Sequence, residues 1–268
     1  MRDDPGMIEE KKLSEMIEQE KLFFKLRDQI MEEADRRGII LRLIGAIAFR
    51  THCSKFKHLF YTAGRVLSDI DFVSYRKYCK KVEKLFSDLG WEEDVTVRVL
   101  YGAKRRIFYC KEYGIHSDVF FDKLEMCHDI NFKGRLEIDY PTISLVDMLL
   151  EKLQIVKINE KDLIDVIVLL REHDVGDGDK EMINVGYFAK LLSNDWGLWR
   201  TCTMNLNKVK QYVKFFKGLT DEDRSDVIAK VDYILKRVEE TPKSMKWKLR
   251  ARIGDKKPWY REVEEVYR

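Results

Sequence analysis

The chain has 268 residues, of which 45% are apolar, so it can bury a core and is not a largely disordered protein. Its 50 Lys and Arg residues nearly balance 47 Asp and Glu residues, so the net charge of +3 says little about partners. The five cysteines form no Cys-x-x-Cys pair, and their odd number argues against a disulfide framework. The sequence has no recognisable signal peptide and no apolar run near 18 residues, so we expect a cytoplasmic protein without a membrane partner.

The first half of the chain mixes helix and strand patterns. Apolar residues at helical spacing predict an amphipathic helix over residues 8–37, which ends at Gly38. Residues 39–44 form a predicted buried strand, and Gly45 lets the chain turn into a short helix over 46–51. Residues 52–67 show no regular pattern. Beyond them we predict strands at 69–74, 115–121 and 135–140, a helix at 75–89, and a β-hairpin of 95–101 with 106–110.

From Ser144 onward helical periodicity dominates. It predicts helices at 144–157, 160–172, 183–192, 204–217 and 221–239. Residues 173–181 are polar and superficially similar to a calcium loop, but they lack its ligand spacing. We therefore interpret them as a connecting loop. The predicted fold class is α+β, with a mixed β-sheet and flanking helices followed by a helical C-terminal domain. The predicted parts are an N-terminal helix at 1–37, an α/β domain at 38–143, a helical domain at 144–242 and a basic, aromatic tail at 243–268.

The tripeptide Asp69-Ile70-Asp71 is the first candidate for chemistry. Side chains alternate along a strand, so the two carboxylates point to the same face. Charges this close repel unless a cation or a proton neutralises them. Oxygen ligands suit a hard ion such as Mg²⁺, which commonly binds one or two carboxylates together with substrate phosphates. The alternative is that both acids simply lie at a solvent-exposed strand edge.

Asp118 supplies a third carboxylate, because it lies within the apolar strand predicted at 115–121. On a strand beside Asp69 and Asp71 it would complete a two-metal site of the kind that activates a hydroxyl and stabilises a leaving pyrophosphate. Gly45 fits the same chemistry, since a glycine between strand and helix lets backbone amides approach phosphates closely. The alternative for Asp118 is an ordinary acid near the end of a strand.

These residues resemble the motifs of the nucleotidyltransferase superfamily with the DNA polymerase β-like fold. Leu43-Ile44-Gly45-Ala46 stands at the family's glycine motif, Asp69 and Asp71 at its paired metal ligands, and Asp118 at its third acid. The chain departs from the family in having Gly45-Ala46 where Gly-Gly or Gly-Ser is usual. Its interval from Gly45 to Asp69 is also longer than usual.

Within the superfamily the chain looks most like the minimal nucleotidyltransferases grouped with AbiE-type toxins. The lysine of their Leu-Leu-x-x-Lys-Leu motif corresponds here to Lys152 in Leu149–Leu153, which has one residue fewer before the lysine. Their basic-Asp-x-x-Asp motif corresponds to Lys161–Asp165. The resemblance implies active-site roles for Lys152, which would neutralise triphosphate charge, and Asp162, which would orient the lysine or act as a base. It further implies nucleotide binding by Gly45, Ala46, Arg65 and Lys152. The alternatives are a solvated Lys152 and acids favoured by a helix N-terminus, the latter being preferred for Asp165.

The function implied by the resemblance is a Mg²⁺-dependent transfer of a nucleoside monophosphate from an NTP, such as ATP, to an acceptor hydroxyl. The acceptor is RNA, a protein or a small molecule. One alternative is a catalytically degenerate protein of the same fold that binds nucleotide or RNA, which Ala46 and the long 52–67 segment favour. The other is a toxin-like protein that modifies tRNA or a protein. The sequence does not indicate an oligomeric state.

The tail at 243–268 holds nine Lys or Arg residues against four acids, with Trp247, Trp259 and Tyr260 among them. Such a combination suits RNA, since basic groups neutralise phosphates and aromatic rings stack on bases. We favour the alternative that the aromatic residues fix the tail on the helical domain while the basic residues face water. Trp196 and Trp199 are likewise expected in packing.

Overall fold

The computed structural model describes residues 5–263, with side chains from residue 10. The first four residues of the predicted N-terminal part and the last five of the predicted tail, Arg268 among them, lie outside the described residues. The fold is α+β, as predicted. Within 5–263, no helix combines the length and apolar character needed to cross a bilayer.

A mixed five-stranded sheet forms the centre of the N-terminal half. Its strands are β1 Leu41–Ile44, β2 Asp71–Ser74, β3 Glu92–Glu93, β4 Arg105–Cys110 and β5 Ile115–Phe121, in the order β1-β2-β5-β4-β3. The pair β2 and β5 is parallel, and the other pairs are antiparallel. Two small two-stranded sheets pair β6 Lys123–Glu125 with β7 Asp129–Asn131, and β8 Asp174–Gly176 with β9 Met182–Asn184.

Eleven α-helices surround the sheet and build the C-terminal half of the described chain. They are α1 Pro5–Arg36, α2 Gly45–His52, α3 His58–Thr62, α4 Cys79–Asp88, α5 Val95–Tyr101, α6 Leu145–Leu153, α7 Glu160–Glu172, α8 Val185–Asn194, α9 Trp196–Val213, α10 Asp221–Glu240 and α11 Met245–Ile253. Side-chain caps fix several starts. Asn159 accepts from the backbone N–H of Asp162 at the start of α7, and Thr220 with Asp223 forms a capping box on α10.

The sheet has one apolar face and one half-buried face. On the apolar face Phe86 of α4 stacks on Phe108 at 4.2 Å and meets Phe72 edge-on at 6.2 Å. On β5 the residues of this face are buried, whereas the alternating His116, Asp118 and Phe120 are half-buried. The buried apolar side chains of the sheet and the C-terminal helices form one continuous core. On β5 the half-buried face is therefore the one that carries the ionisable side chains His116 and Asp118.

Two predicted strands are wrong. Residues 95–101 form helix α5, because Asp94 caps its N-terminus by accepting from the N–H of Val97, and β4 pairs instead with the short β3. The β-branched residues of this segment stay outside the core, with Val99 76% exposed. Residues 135–140 form turns, held by Arg135, whose guanidinium binds Asp147 and Ser144.

Several other predicted elements are present, with bounds that agree with the prediction or differ by a few residues. The predicted helix at 160–172 coincides with α7, and the predicted strand at 115–121 coincides with β5. The predicted strand at 69–74 is shorter, since β2 begins at Asp71 and Asp69 forms an isolated bridge with His116. The 52–67 segment contains the short helix α3, and the 173–181 loop contains β8.

Candidate active site

The strand register brings the three predicted acids together. Phe72 is paired with Val119, so the preceding residues Asp71 and Asp118 lie side by side on β2 and β5. The backbone N–H of Asp118 donates to Oδ1 of Asp71 at 3.3 Å. Asp69 lies two residues before Asp71 and therefore on the same side of the chain. It forms an isolated β-bridge with His116, two residues before Asp118. Asp69, Asp71 and Asp118 are called the carboxylate cluster below.

The carboxylate cluster brings three acidic groups together, and Arg105 compensates only part of their charge. Removal of the Asp71 carboxyl group from water, together with the charges of Asp69 and Asp118, holds the pKa of Asp71 well above its ordinary value. Oδ1 of Asp118 is buried without a hydrogen-bond partner, and the other oxygen of this carboxylate binds Arg105. Charge, an unpartnered oxygen and an all-oxygen donor set fit a hard cation. Among residues 10–263, however, no three His, Cys, Asp or Glu side chains are arranged as a preformed metal site.

Gly45 joins the end of β1 to the start of α2 and adjoins Asp71. Its φ of +67° lies in the left-handed region that favours glycine. A Cβ at this position would lie 3.0 Å from Oδ2 of Asp71, so a side chain would crowd the carboxylate cluster. The N–H of Gly45, predicted to meet a phosphate, donates to Oε1 of Glu151 at 3.0 Å. Ala46 follows as a buried residue of α2, so its polar contribution is limited to its backbone.

Lys152 on α6 lies at the centre of a second charged group. Its Nζ is 3.0 Å from Oδ1 of Asp162 and 3.0 Å from Oδ2 of Asp165, both on α7. Arg65 binds the two carboxylate oxygens of Asp165 at 3.2 Å each. Lys152, Asp162, Asp165 and Arg65 are called the lysine cluster below. These contacts exclude a solvated role for Lys152, which is only 8% exposed.

The lysine cluster keeps its cations charged. Burial alone would lower the pKa of Lys152, but Asp165, Asp162 and Glu151 outweigh that effect and raise it. Burial alone would also lower the pKa of Arg65, but Asp165 outweighs this effect and the pKa of the guanidinium is raised. Asp165 therefore does more than favour a helix N-terminus, because its carboxylate links two buried cations.

Glu151 connects the two clusters. It accepts from Gly45 on one side and interacts electrostatically with Lys152 and Asp71 on the other. Burial raises the pKa of Glu151 to about 8, although Lys152 and the Gly45 hydrogen bond act in the opposite direction. The site can therefore hold or release a proton at Glu151 near neutral pH.

Three residues of this site were not among the predicted site residues. Glu151 and Asp165 are acids within apolar helices, and every residue of α6 is buried. An acid in such a helix is itself a signal, since a buried charge requires a partner. Arg105 is paired with Phe120, two residues after Asp118, so strand alternation places it on the acid face.

The aromatic residues of the tail pack on the helical half. Trp259 donates from Nε1 to Oγ1 of Thr201 at 3.1 Å, and the Trp247 ring meets Trp199 at 5.0 Å. The guanidinium of Arg250 lies 4.6 Å from the centre of the Trp196 ring. These contacts support the packing interpretation of the tail.

The close approach of Gly45 and Asp71 predicts a selective effect of a small substitution. Gly45→Ala and Gly64→Ala both place a Cβ at a left-handed position, which costs about 1–2 kcal/mol. Only Gly45→Ala crowds another side chain, since no atom lies within 4 Å of a Cβ at Gly64. We expect Gly45→Ala to lose about 1 kcal/mol more in the free energy of unfolding, measured in urea. Equal losses would contradict the contact.

The lysine cluster predicts a large cost for Asp165→Asn. The change leaves Lys152 and Arg65 buried with one carboxylate fewer, so we expect unfolding free energy to fall by about 3 kcal/mol. The matched control is Asp221→Asn. The Asp221 side chain is fully exposed in its pair with Arg224, so the expected change is less than about 1 kcal/mol. Urea unfolding of both variants measures the difference, and similar small losses would show that Asp165 does not balance a buried charge.

Glu151 predicts a pH dependence of stability. Its folded pKa of about 8 exceeds its ordinary value of 4.5, so folding favours the protonated form. The stability that protonated Glu151 provides is fully present below pH 4.5 and is lost as the pH rises through 8. Glu151→Gln stays neutral and keeps an acceptor for Gly45. Between pH 5 and pH 8 the wild type should therefore lose on the order of 3 kcal/mol relative to the variant. Parallel pH profiles in urea unfolding would contradict the raised pKa.

No protein-family model matches this sequence, and neither a curated protein nor a solved structure matches it significantly.

Proposed function

We propose that the protein is a Mg²⁺-dependent nucleotidyltransferase that transfers a nucleoside monophosphate from an NTP to an acceptor hydroxyl. The observation that carries this proposal is the carboxylate cluster on the neighbouring strands β2 and β5, beside the glycine that begins α2. We also propose that the mixed sheet with its following helices is a nucleotidyltransferase-type fold. The lysine cluster supports both proposals, because its Arg65 interacts electrostatically with Asp69 of the carboxylate cluster.

Asp69, Asp71 and Asp118 are the residues that would hold Mg²⁺. The ion, when bound, neutralises triphosphate charge and makes the acceptor hydroxyl more acidic. Lys152 is held by Asp162 and Asp165 in a fixed position, as a point charge for phosphate oxygens. Arg65 fixes Asp165 and, through it, the position of Lys152.

The proposed reaction is a substitution at phosphorus. The acceptor oxygen forms a bond to the α-phosphorus, the bond from that phosphorus to the bridging oxygen breaks, and pyrophosphate leaves with its electron pair. The hydroxyl proton passes to a carboxylate oxygen of the carboxylate cluster that does not hold the ion. The Gly45 N–H becomes available to a phosphate oxygen when Glu151 gives up its hydrogen bond.

A second candidate function is binding of nucleotide or RNA without catalysis. Two observations favour it: Glu151 holds the Gly45 amide, and Arg105 holds one oxygen of Asp118. In this case both groups stay in place and the acids serve only structure. Ala46 also lacks a hydroxyl for phosphate contact.

Nucleotidyl transfer is measured with Mg²⁺, each α-³²P-labelled NTP, total RNA and cell protein. We expect the wild type to label one class of acceptor. The double substitution Asp69→Asn/Asp71→Asn should reduce transfer at least about 100-fold, because it removes two oxygen ligands with negative charge.

The matched control changes another Asp-x-Asp sequence, in the loop between α7 and α8. Asp177→Asn/Asp179→Asn alters charge by the same amount on a surface loop and should leave transfer unchanged. Binding of NTP by the wild type without any transfer would favour the non-catalytic function. Transfer that survives in the Asp69 and Asp71 variant would overturn the proposed site.

A further inference from the structure

A cavity of about 590 Å³ lies between the α6–α7 connection and the C-terminal segment. It is called the tail cavity below. One wall is formed by the connection and the start of α7, another by Met126 and Cys127, and the last by the tail. The lining includes Ile155, Val156, Asn159, Asp162, Tyr260 and Arg261. Its volume is within the range of about 300–1,000 Å³ that is typical of small-molecule sites.

The tail forms a fixed wall of this cavity. The backbone N–H of Arg261 donates to the carbonyl oxygen of Cys127 at 3.0 Å. Its side chain donates from Nε to the carbonyl oxygen of Met126 at 3.0 Å and also binds Asp129. Just before it, Trp259 is anchored on Thr201. Tyr260, which lines the cavity, thus lies between two residues that are anchored by hydrogen bonds.

The tail cavity adjoins the proposed active site through one residue. Asp162 lines the cavity and binds Lys152, the cation proposed to meet the triphosphate. Lys152 does not itself line the cavity, so a ligand with its phosphates at Lys152 would reach the cavity past Asp162. The apolar surfaces of Ile155 and Val156 and the ring of Tyr260 suit a flat, weakly polar group.

The cavity also offers a few polar groups beside its apolar walls. Oδ1 of Asn159 accepts from Asp162 in the helix cap, which directs the amide plane of this side chain at the start of α7. Its amide nitrogen carries two N–H donors that the cap does not use. Apolar walls, one aromatic ring and an amide are the pattern of a site for a heterocycle.

We propose that the tail cavity binds the base of the incoming nucleoside triphosphate, with the C-terminal segment as the wall against which the base packs. This inference rests on the proposed function, since it takes Lys152 as the triphosphate site. It assigns the tail a role in nucleotide recognition that its basic residues alone do not imply.

Binding of two probes to the full-length chain tests the proposal. Calorimetry with Mg²⁺ compares each of the four NTPs with inorganic tripolyphosphate, which has no base. Stacking of a base is worth about 1–3 kcal/mol, so at least one NTP should bind the wild type roughly tenfold or more tightly than tripolyphosphate. The cavity-filling change Val156→Trp should abolish this difference and leave tripolyphosphate binding unchanged.

Two further variants separate the effect from a general loss of structure. Tyr260→Ala removes the ring without filling the cavity, and should also weaken NTP binding but not tripolyphosphate binding. Val99→Trp on the exposed face of α5 is the matched control for the added indole and should change neither. Thermal unfolding confirms that each variant is folded.

The outcomes distinguish this proposal from the proposed function. If NTP and tripolyphosphate bind but Val156→Trp and Tyr260→Ala leave NTP affinity unchanged, the cavity is not the base site, although the triphosphate site stands. If the variants weaken binding of a short RNA oligonucleotide instead, the cavity belongs to the acceptor and the proposal is wrong. If neither NTP nor tripolyphosphate binds the wild type, both proposals fail.

Discussion

Lys152 carries its charge into a part of the protein with little access to water, and much of the surrounding structure balances that charge. Asp162 and Asp165 approach it from α7, and Arg65 approaches Asp165 from the segment before β2. Because a buried ammonium group is costly without partners, a displacement of α7 or of that segment that removed these acids would destabilise the protein. The positions of Glu151 and of the helix start at Gly45 follow from this arrangement.

The sheet imposes a second constraint, because its strand pairing determines the face to which the acidic side chains point. A parallel pair of strands places Asp71 and Asp118 next to each other, and alternation turns both away from the phenylalanine core under α4. The same alternation places Arg105 on the acid face. Acids that repel one another are thus held together by the backbone ladder and by the packing behind it, which provide the energy that their own contacts do not.

Sequence patterns predicted those features that depend only on neighbouring residues. Strand alternation identified Asp69, Asp71 and Asp118, and helical periodicity gave the bounds of α7. The pattern failed at 95–101, where β-branched residues predict a strand but the Asp94 cap and the lack of a partner strand favour a helix. The roles of Glu151 and Asp165 depend on groups about 100 residues away in sequence, and no local pattern encodes such distances.

That separation along the chain also bears on biosynthesis. Arg65 and Asp165 are 100 residues apart, and Gly45 and Glu151 are 106 apart. A ribosome-bound chain that ends before α7 already contains all three acids, Gly45 and Lys152. It lacks Asp162 and Asp165, which are the partners of Lys152, and Asp165 is also the partner of Arg65. The lysine cluster can therefore form only after α7 has been synthesised, because Arg65 and Lys152 both bind Asp165. A product that ends before α7 contains the three acids without the lysine cluster.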